Sequence, residues 1–240
     1  MLELKNVVFN LGHNVVSRPL SFILYKGCLC CVGGAAEDRT SLVRAVLGFV
    51  PVESGYISYE DEVVTRLSAV AFRKHFFYIP SDISRLSDWS PKPFDNLSVR
   101  DLLQTLCGLR SNGVKIDEDR LKKDFETLGL DFALYDRPCF ELSENVLQRA
   151  MLALAPQMGK ALLIADGLTS DMDLATERLV VNFLSRLMGE GMMVLLSCRD
   201  GDPLLNQSNH EHIIIRNLVR NDAVAPTPLR GDESAPVAAQ

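Results

Sequence analysis

The run Gly33-Gly34-Ala35-Ala36-Glu37-Asp38-Arg39-Thr40-Ser41 holds residue types that phosphate chemistry asks for. It lies between an apolar run, Cys28 to Val32, and a segment with helical spacing, Thr40 to Leu47. At such a turn, glycine-rich backbone can wrap a polyphosphate, a cationic side chain can reach it, and a Ser or Thr hydroxyl can hold Mg²⁺. Gly33, Gly34, Ala36, Asp38, Arg39, Thr40 and Ser41 are the candidate phosphate-contacting residues. Two carboxylates oppose this chemistry. A unit charge about 5 Å from another, at an effective dielectric of about 20, costs roughly 3 kcal/mol, so Glu37 and Asp38 predict weakened phosphate binding. Asp38 also brings a Cβ where a wrapping loop favours none. Asp166 is the second candidate. It closes the apolar run Leu162 to Ala165 and could bind Mg²⁺ with Thr40, hydrogen-bond Thr40 directly, or cap the following loop.

The elements that must position these residues alternate. Leu2 to Phe9, Cys28 to Val32, Phe76 to Ile79, Ala161 to Ala165, Met192 to Ser197 and His212 to Ile215 read as strands, with a turn and short strand over Pro51 to Tyr59. Leu42, Val43, Val46 and Leu47 share one helical face, and Gly48 supplies a stop. Val99 to Gly108, Asp117 to Leu128, Ser143 to Gln157 and Asp173 to Met188 are amphipathic helix candidates. Strand, helix and strand in turn imply βαβ units and a mainly parallel sheet. Helix after helix between Ser81 and about Gln157 reads as an insertion. Ser143 and Asp173 are placed to cap their helices, and Gln148 and Arg149 read as polar residues of a helix face.

With 240 residues, 47% hydrophobic and 23% charged, the chain is long enough to bury a core without staples, and wholesale disorder is excluded. A net charge of −6 argues against a duplex-DNA partner, which needs a basic face. No apolar run approaches the roughly 18–20 residues that span a bilayer, and the first residues do not read as a signal peptide, so a cytoplasmic location is expected. None of the six cysteines has CxxC spacing, and all six are expected to be reduced packing residues. From Asn221 the chain turns to Ala, Pro, Thr and Ser, which predicts a disordered tail over 221–240.

Six ordered segments resemble the ATP-binding subunits of ABC transporters. The phosphate loop comes first. Phe77-Tyr78-Ile79-Pro80-Ser81 is similar to the strand and loop that normally end in glutamine, and Asn96 to Leu103 is similar to the segment that opens the helical subdomain. Leu142-Ser143-Glu144-Asn145-Val146-Leu147-Gln148-Arg149 aligns with the signature LSGGQ-x-QR. Leu162 to Asp173 aligns with the Walker B strand and the loop after it, and Val194 to Asp200 with the strand that ends in a switch histidine. The resemblance implies an α/β, P-loop NTPase-like, mainly parallel sheet core with a helical insertion subdomain and an N-terminal antiparallel β element. It implies a cassette over 1–220, with a core at 1–80 and 161–220 and a helical subdomain at about 81–157. ATP and Mg²⁺ are the implied cofactors. A transmembrane permease and a second ATP-binding subunit are the implied partners, and the inner face of the cell membrane is the implied location.

The departures from that pattern carry their own expectations. Arg39 replaces the loop lysine, Ser81 the loop glutamine, Glu144 and Asn145 the signature glycines, Gly167 the catalytic glutamate and Arg199 the switch histidine. Leu11 stands where an aromatic normally stacks on adenine. Losing a general base typically forfeits about 10² to 10⁴ in rate, so the chain is expected not to hydrolyse ATP alone. Two readings stay open: a cassette subunit that still binds nucleotide, and a catalytically dead scaffold or regulator without ATP. Ser143, Glu144, Asn145 and Gln148 are the signature candidates. Trp89 and Phe94, with Ser81 at the base of their loop, form an apolar, Pro-rich cluster that packs locally or docks a permease.

Overall fold

The computed structural model describes residues 1–12, 15–83, 97–108, 113–169, 172–198, 212–215 and 220–222. Strands β1 (Leu2–Val8), β4 (Leu20–Leu24), β6 (Ser54–Tyr59) and β7 (Glu62–Val63) form an antiparallel sheet in the order β4-β1-β6-β7. Short strands β2 (Asn10–Gly12), β3 (Val15–Ser17) and β12 (Arg220–Asp222) form a three-stranded sheet. The central sheet joins β5 (Leu29–Val32), β8 (Phe76–Ile79), β9 (Leu162–Asp166), β10 (Met193–Ser197) and β11 (His212–Ile215) in the order β11-β5-β10-β9-β8, every pairing parallel.

Near-continuous apolar runs such as Leu-Cys-Cys-Val and Met-Val-Leu-Leu-Ser suit strands covered on both faces. Alternation along each strand then divides the core in two. Cys31, Phe77, Ile79, Leu163, Ala165, Val194 and Leu196 face α3 (Val99–Gly108), α5 (Glu144–Leu154) and α6 (Leu174–Gly189). Cys30, Val32, Phe76, Leu162, Ile164, Met193 and Leu195 face α1 (Ala36–Val46) and the antiparallel sheet. Among the described residues, the two remaining α-helices, α2 (Ala69–Phe72) and α4 (Glu118–Thr127), precede β8 and α5 in the chain.

The expected α/β architecture is present, antiparallel element included. Four details differ. Helix α1 starts at Ala36, four residues before the expected helical segment at Thr40, because Ala35 O accepts the N–H groups of both Asp38 and Arg39. Acids in the first turn favour that extension, since they sit at the positive end of the helix dipole. Residues Asn221 and Asp222 pair with Val16 and Val15, so ordered chain runs past the expected start of the tail. Cys31 and Cys198 form a disulfide rather than two thiols, with Cα atoms 6.3 Å apart. The parallel register sets Cys31 opposite Leu196, and alternation turns Cys198 toward the same face, a pairing that a separation of 167 residues hides from spacing arguments. The other four cysteines are free, as expected. Finally, Leu11 is buried in the core beside Phe9. The readings placed on Trp89, Phe94, Arg199 and the tail beyond Asp222 lie outside the described residues.

Candidate functional site

The C-terminal ends of β5, β9 and β10 converge on Asp166, which is buried and surrounded by hydroxyls. Thr40 Oγ1, from α1, donates to its Oδ2 at 2.9 Å, and Ser81 Oγ, just past β8, donates to the same oxygen at 3.3 Å. Ser197 Oγ donates to Oδ1. Of the roles open to Asp166, direct bonding to Thr40 is the one observed, and the same oxygens are hard donors suited to Mg²⁺. Burial first, and then the Asp166 carboxylate, push the Tyr78 phenol above its ordinary range.

Arg39 lies one residue before Thr40 on α1 and is 7% exposed. Its Nη1 reaches back to Gly34 O at 2.5 Å, while its Nε has no hydrogen-bond partner. A buried guanidinium with an unused donor is costly unless an anion completes it. Arg39, Thr40, Ala36, Ser81, Ser143, Glu144, Asn145, Gln148, Asp166 and Gly167 line one cavity of about 440 Å³. Glu37 and Asp38 are not part of that lining: Glu37 is exposed and Asp38 buried. Ser41 Oγ turns back to Glu37 O at 2.8 Å. Gly33 and Gly34 form the short turn before α1, with Gly34 at φ +124°.

Helix α5 supplies the opposite wall. Ser143 caps it, accepting from Val146 N–H at 3.4 Å. Glu144 Oε2 accepts from Ile83 N–H at 3.0 Å. Gln148 is not a surface residue of the helix. It is buried, and its Nε2 donates to Pro80 O at 2.8 Å and Asp166 O at 3.1 Å, joining α5 to the ends of β8 and β9. Arg149 bonds Asn145 Oδ1 and Leu128 O, and burial lowers its pKa. Asp173 caps α6, where hydrogen bonds from Thr176 hold its carboxyl below the usual range.

Gly167 follows Asp166 in a left-handed conformation, φ +68°, with its N–H on Ser197 Oγ at 2.9 Å. It has no side chain to deprotonate water. Sequence reasoning passed over Ser197, which holds both Asp166 and Gly167. A hydroxyl ending an otherwise apolar strand was the available signal.

No protein-family profile matches the chain. It is 26% identical over 219 residues to a "Probable metal transport system ATP-binding protein" of Chlamydia pneumoniae, covering 89% of this chain and 80% of that one. It is 28% identical over 214 residues to the oligopeptide transport ATP-binding protein OppF of Streptococcus mutans, covering 83% and 67%. Among solved structures, an ATP-binding subunit of an ABC transporter superposes with a TM-score of 0.70 at 16% identity, covering 92% of this chain and 89% of that one, a likeness of fold. Fold, motif order and relatives agree: over most of its length the chain is similar to the ATP-binding subunits of ABC transporters.

Proposed function

We propose that the chain is the ATP-binding cassette subunit of a transport complex, with a degenerate nucleotide site that binds rather than turns over ATP. The observation that carries the nucleotide reading is the unpaired Nε of buried Arg39 beside the Thr40–Asp166 pair. Arg39 and the turn at Gly33–Gly34 hold the phosphates. Thr40 and Asp166 would hold Mg²⁺, which when bound neutralises polyphosphate charge. Gly167 supplies no general base and Ser81 is shorter than the glutamine it replaces, so a water molecule is neither activated nor positioned. Arg199 is assigned to the switch position.

Transport relatives support a transmembrane permease as partner and a second ATP-binding subunit beside it, with the chain on the cytoplasmic face of the membrane. No helix among the described residues is long and apolar enough to cross a membrane. In this reading the cassette runs from 1 to about 222, with its core at 1–80 and 161–222 and its helical subdomain at about 81–157. The permease docks on the segment holding Trp89 and Phe94, with Ser81 linking that segment to the cavity.

Calorimetric titration with ATP and Mg²⁺ should give binding that Arg39→Ala weakens roughly thirtyfold, and the purified chain should show no turnover. Absence of heat at millimolar ATP overturns the nucleotide reading. Turnover of about 1 s⁻¹, ordinary for enzymes, lost in Asp166→Asn, overturns the non-catalytic one. Substituting Trp89→Ala with Phe94→Ala should weaken co-purification with a membrane subunit at unchanged thermal stability.

A further inference from the structure

We propose that Cys31 and Cys198 are a reversible redox clasp that governs how readily the phosphate loop opens. The bond links neighbouring parallel strands. Cys31 is the penultimate residue of β5, two positions before Gly33, and Cys198 directly follows β10. Cys198 N–H also donates to Val32 O at 2.8 Å. Its neighbour Ser197 holds Asp166 and Gly167. The clasp therefore ties the strand end that launches the loop to the strand end that fixes Asp166. This inference does not depend on what the cavity binds.

The pairing is selective. Cys30 faces the core under α1, on the opposite side of β5 from Cys31, and Cys28 packs on that same side. Cys107 lies in α3 with its Sγ on Met158, and Cys139 lies in the turn before α5. Burial pushes the Cys107 and Cys139 thiols up to about 11 and about 12, which leaves them poor nucleophiles. In a cytoplasmic chain, disulfides are characteristically transient or redox-sensing rather than permanent.

The oxidant is a low-molecular-weight disulfide such as glutathione disulfide. One cysteine thiolate attacks a sulfur of the small disulfide, whose S–S bond breaks and releases one small thiolate. The second cysteine thiolate then attacks the protein sulfur of the mixed disulfide and releases the other. Two protein thiols lose two electrons, one small disulfide becomes two thiols, and the two protons pass to them. Both protein sulfurs are fully buried, so exchange waits on local opening at the end of the sheet. The consequence falls on the loop. Only Gly33–Ala35 separate β5 from α1, so the freedom of that short turn is set by how firmly the strand end before it is held. A closed clasp anchors the base of that turn; an open one leaves only the strand ladder to hold it.

The intact chain is equilibrated in glutathione buffers from reducing to oxidising, denatured, and alkylated with a maleimide. Cys31 and Cys198 should lose label together and regain it on reduction, while the other four cysteines label throughout. Labelling of both at every poise, or protection spread over other pairs, overturns the proposal. Hydrogen exchange supplies the second readout: in reduced wild type, the amides of residues 33–40 should exchange about threefold faster or more. The double variant Cys31→Ser with Cys198→Ser should exchange alike in both buffers. Equal rates in oxidised and reduced wild type, which require no variant to fold, overturn the regulatory claim even if the bond cycles.

Discussion

Helices α1 and α5 meet at one cavity, and their N-termini are finished differently. At α5 the chain caps itself: Ser143 accepts from Val146, and Glu144 in the first turn accepts from Ile83. At α1 the residue before the helix is Ala35, which makes no side-chain cap, and the cavity lining beside it includes a guanidinium with a spare N–H. The first turn of any helix leaves backbone donors unmatched within the helix. Where side chains of the same chain meet them, the helix end serves the architecture. Where the preceding residue gives no side-chain cap and a buried cation stands alongside, the helix end is open to the anionic ligand proposed above. The two ends thus divide the cavity into a receiving side and a closed side.

The strongest way to break this contrast is to remove what fixes the closed side. Gln148→Ala strands two buried carbonyls, Pro80 O and Asp166 O, and opens a cavity, so stability should fall by about 3 kcal/mol. Denaturant unfolding measures it. A loss below about 1 kcal/mol, the worth of one ordinary hydrogen bond, would mean that α5 is held elsewhere. Next comes the receiving side. Arg39→Ala should weaken ATP binding by roughly thirtyfold, or about 2 kcal/mol, the scale of a charge-assisted hydrogen bond. An unchanged affinity would remove the cation from the site. Gly167→Glu probes the floor between them. At φ +68° a side chain costs about 1–2 kcal/mol, so melting should drop, and an ATPase assay should still read zero because Ser81 and Glu144 remain.

These residues also mark how far the chain could be read before its fold was seen. The parallel strands were legible because apolar runs between turn residues have few other fates, and Phe76 to Ile79 is reproduced to the residue. Ser143 and Asp173 were legible as caps, since capping is a local pattern. Gln148 was not. A polar residue on an amphipathic helix looks exposed unless one knows that the ends of β8 and β9 arrive beside it. Arg39 could be read as a cation in the loop, but the early start of α1, and with it the reach of the side chain back to Gly34, depends on Glu37 and Asp38 acting as first-turn acids of a helix rather than as loop charges. Cys31 and Cys198 are neighbours only because β5 and β10 are adjacent in the sheet, a matter of strand order that periodicity does not encode.

The smallest effect concerns the acids of α1. Read from the sequence, Glu37 and Asp38 stand in a loop that wraps phosphate, and removing both should strengthen ATP binding tenfold or more. In the structure they belong to a helix turn, outside the cavity lining. Asp38 is buried and engaged, so its removal tests stability rather than affinity. Glu37 is exposed. Across about 10 Å of water-like dielectric, a unit charge repels another by about 0.4 kcal/mol, and 0.15 M salt screens most of it. Glu37→Ala should therefore tighten ATP binding by about twofold at low ionic strength and by nothing measurable at 0.15 M. The same change removes an acid from the positive end of α1, so stability should fall by a few tenths of a kcal/mol while affinity rises. Titrations at two salt concentrations, paired with thermal unfolding, separate the two signs. A tenfold gain that survives salt would place the Glu37 carboxylate inside the cavity and return the receiving side to the hostile loop that its sequence suggests.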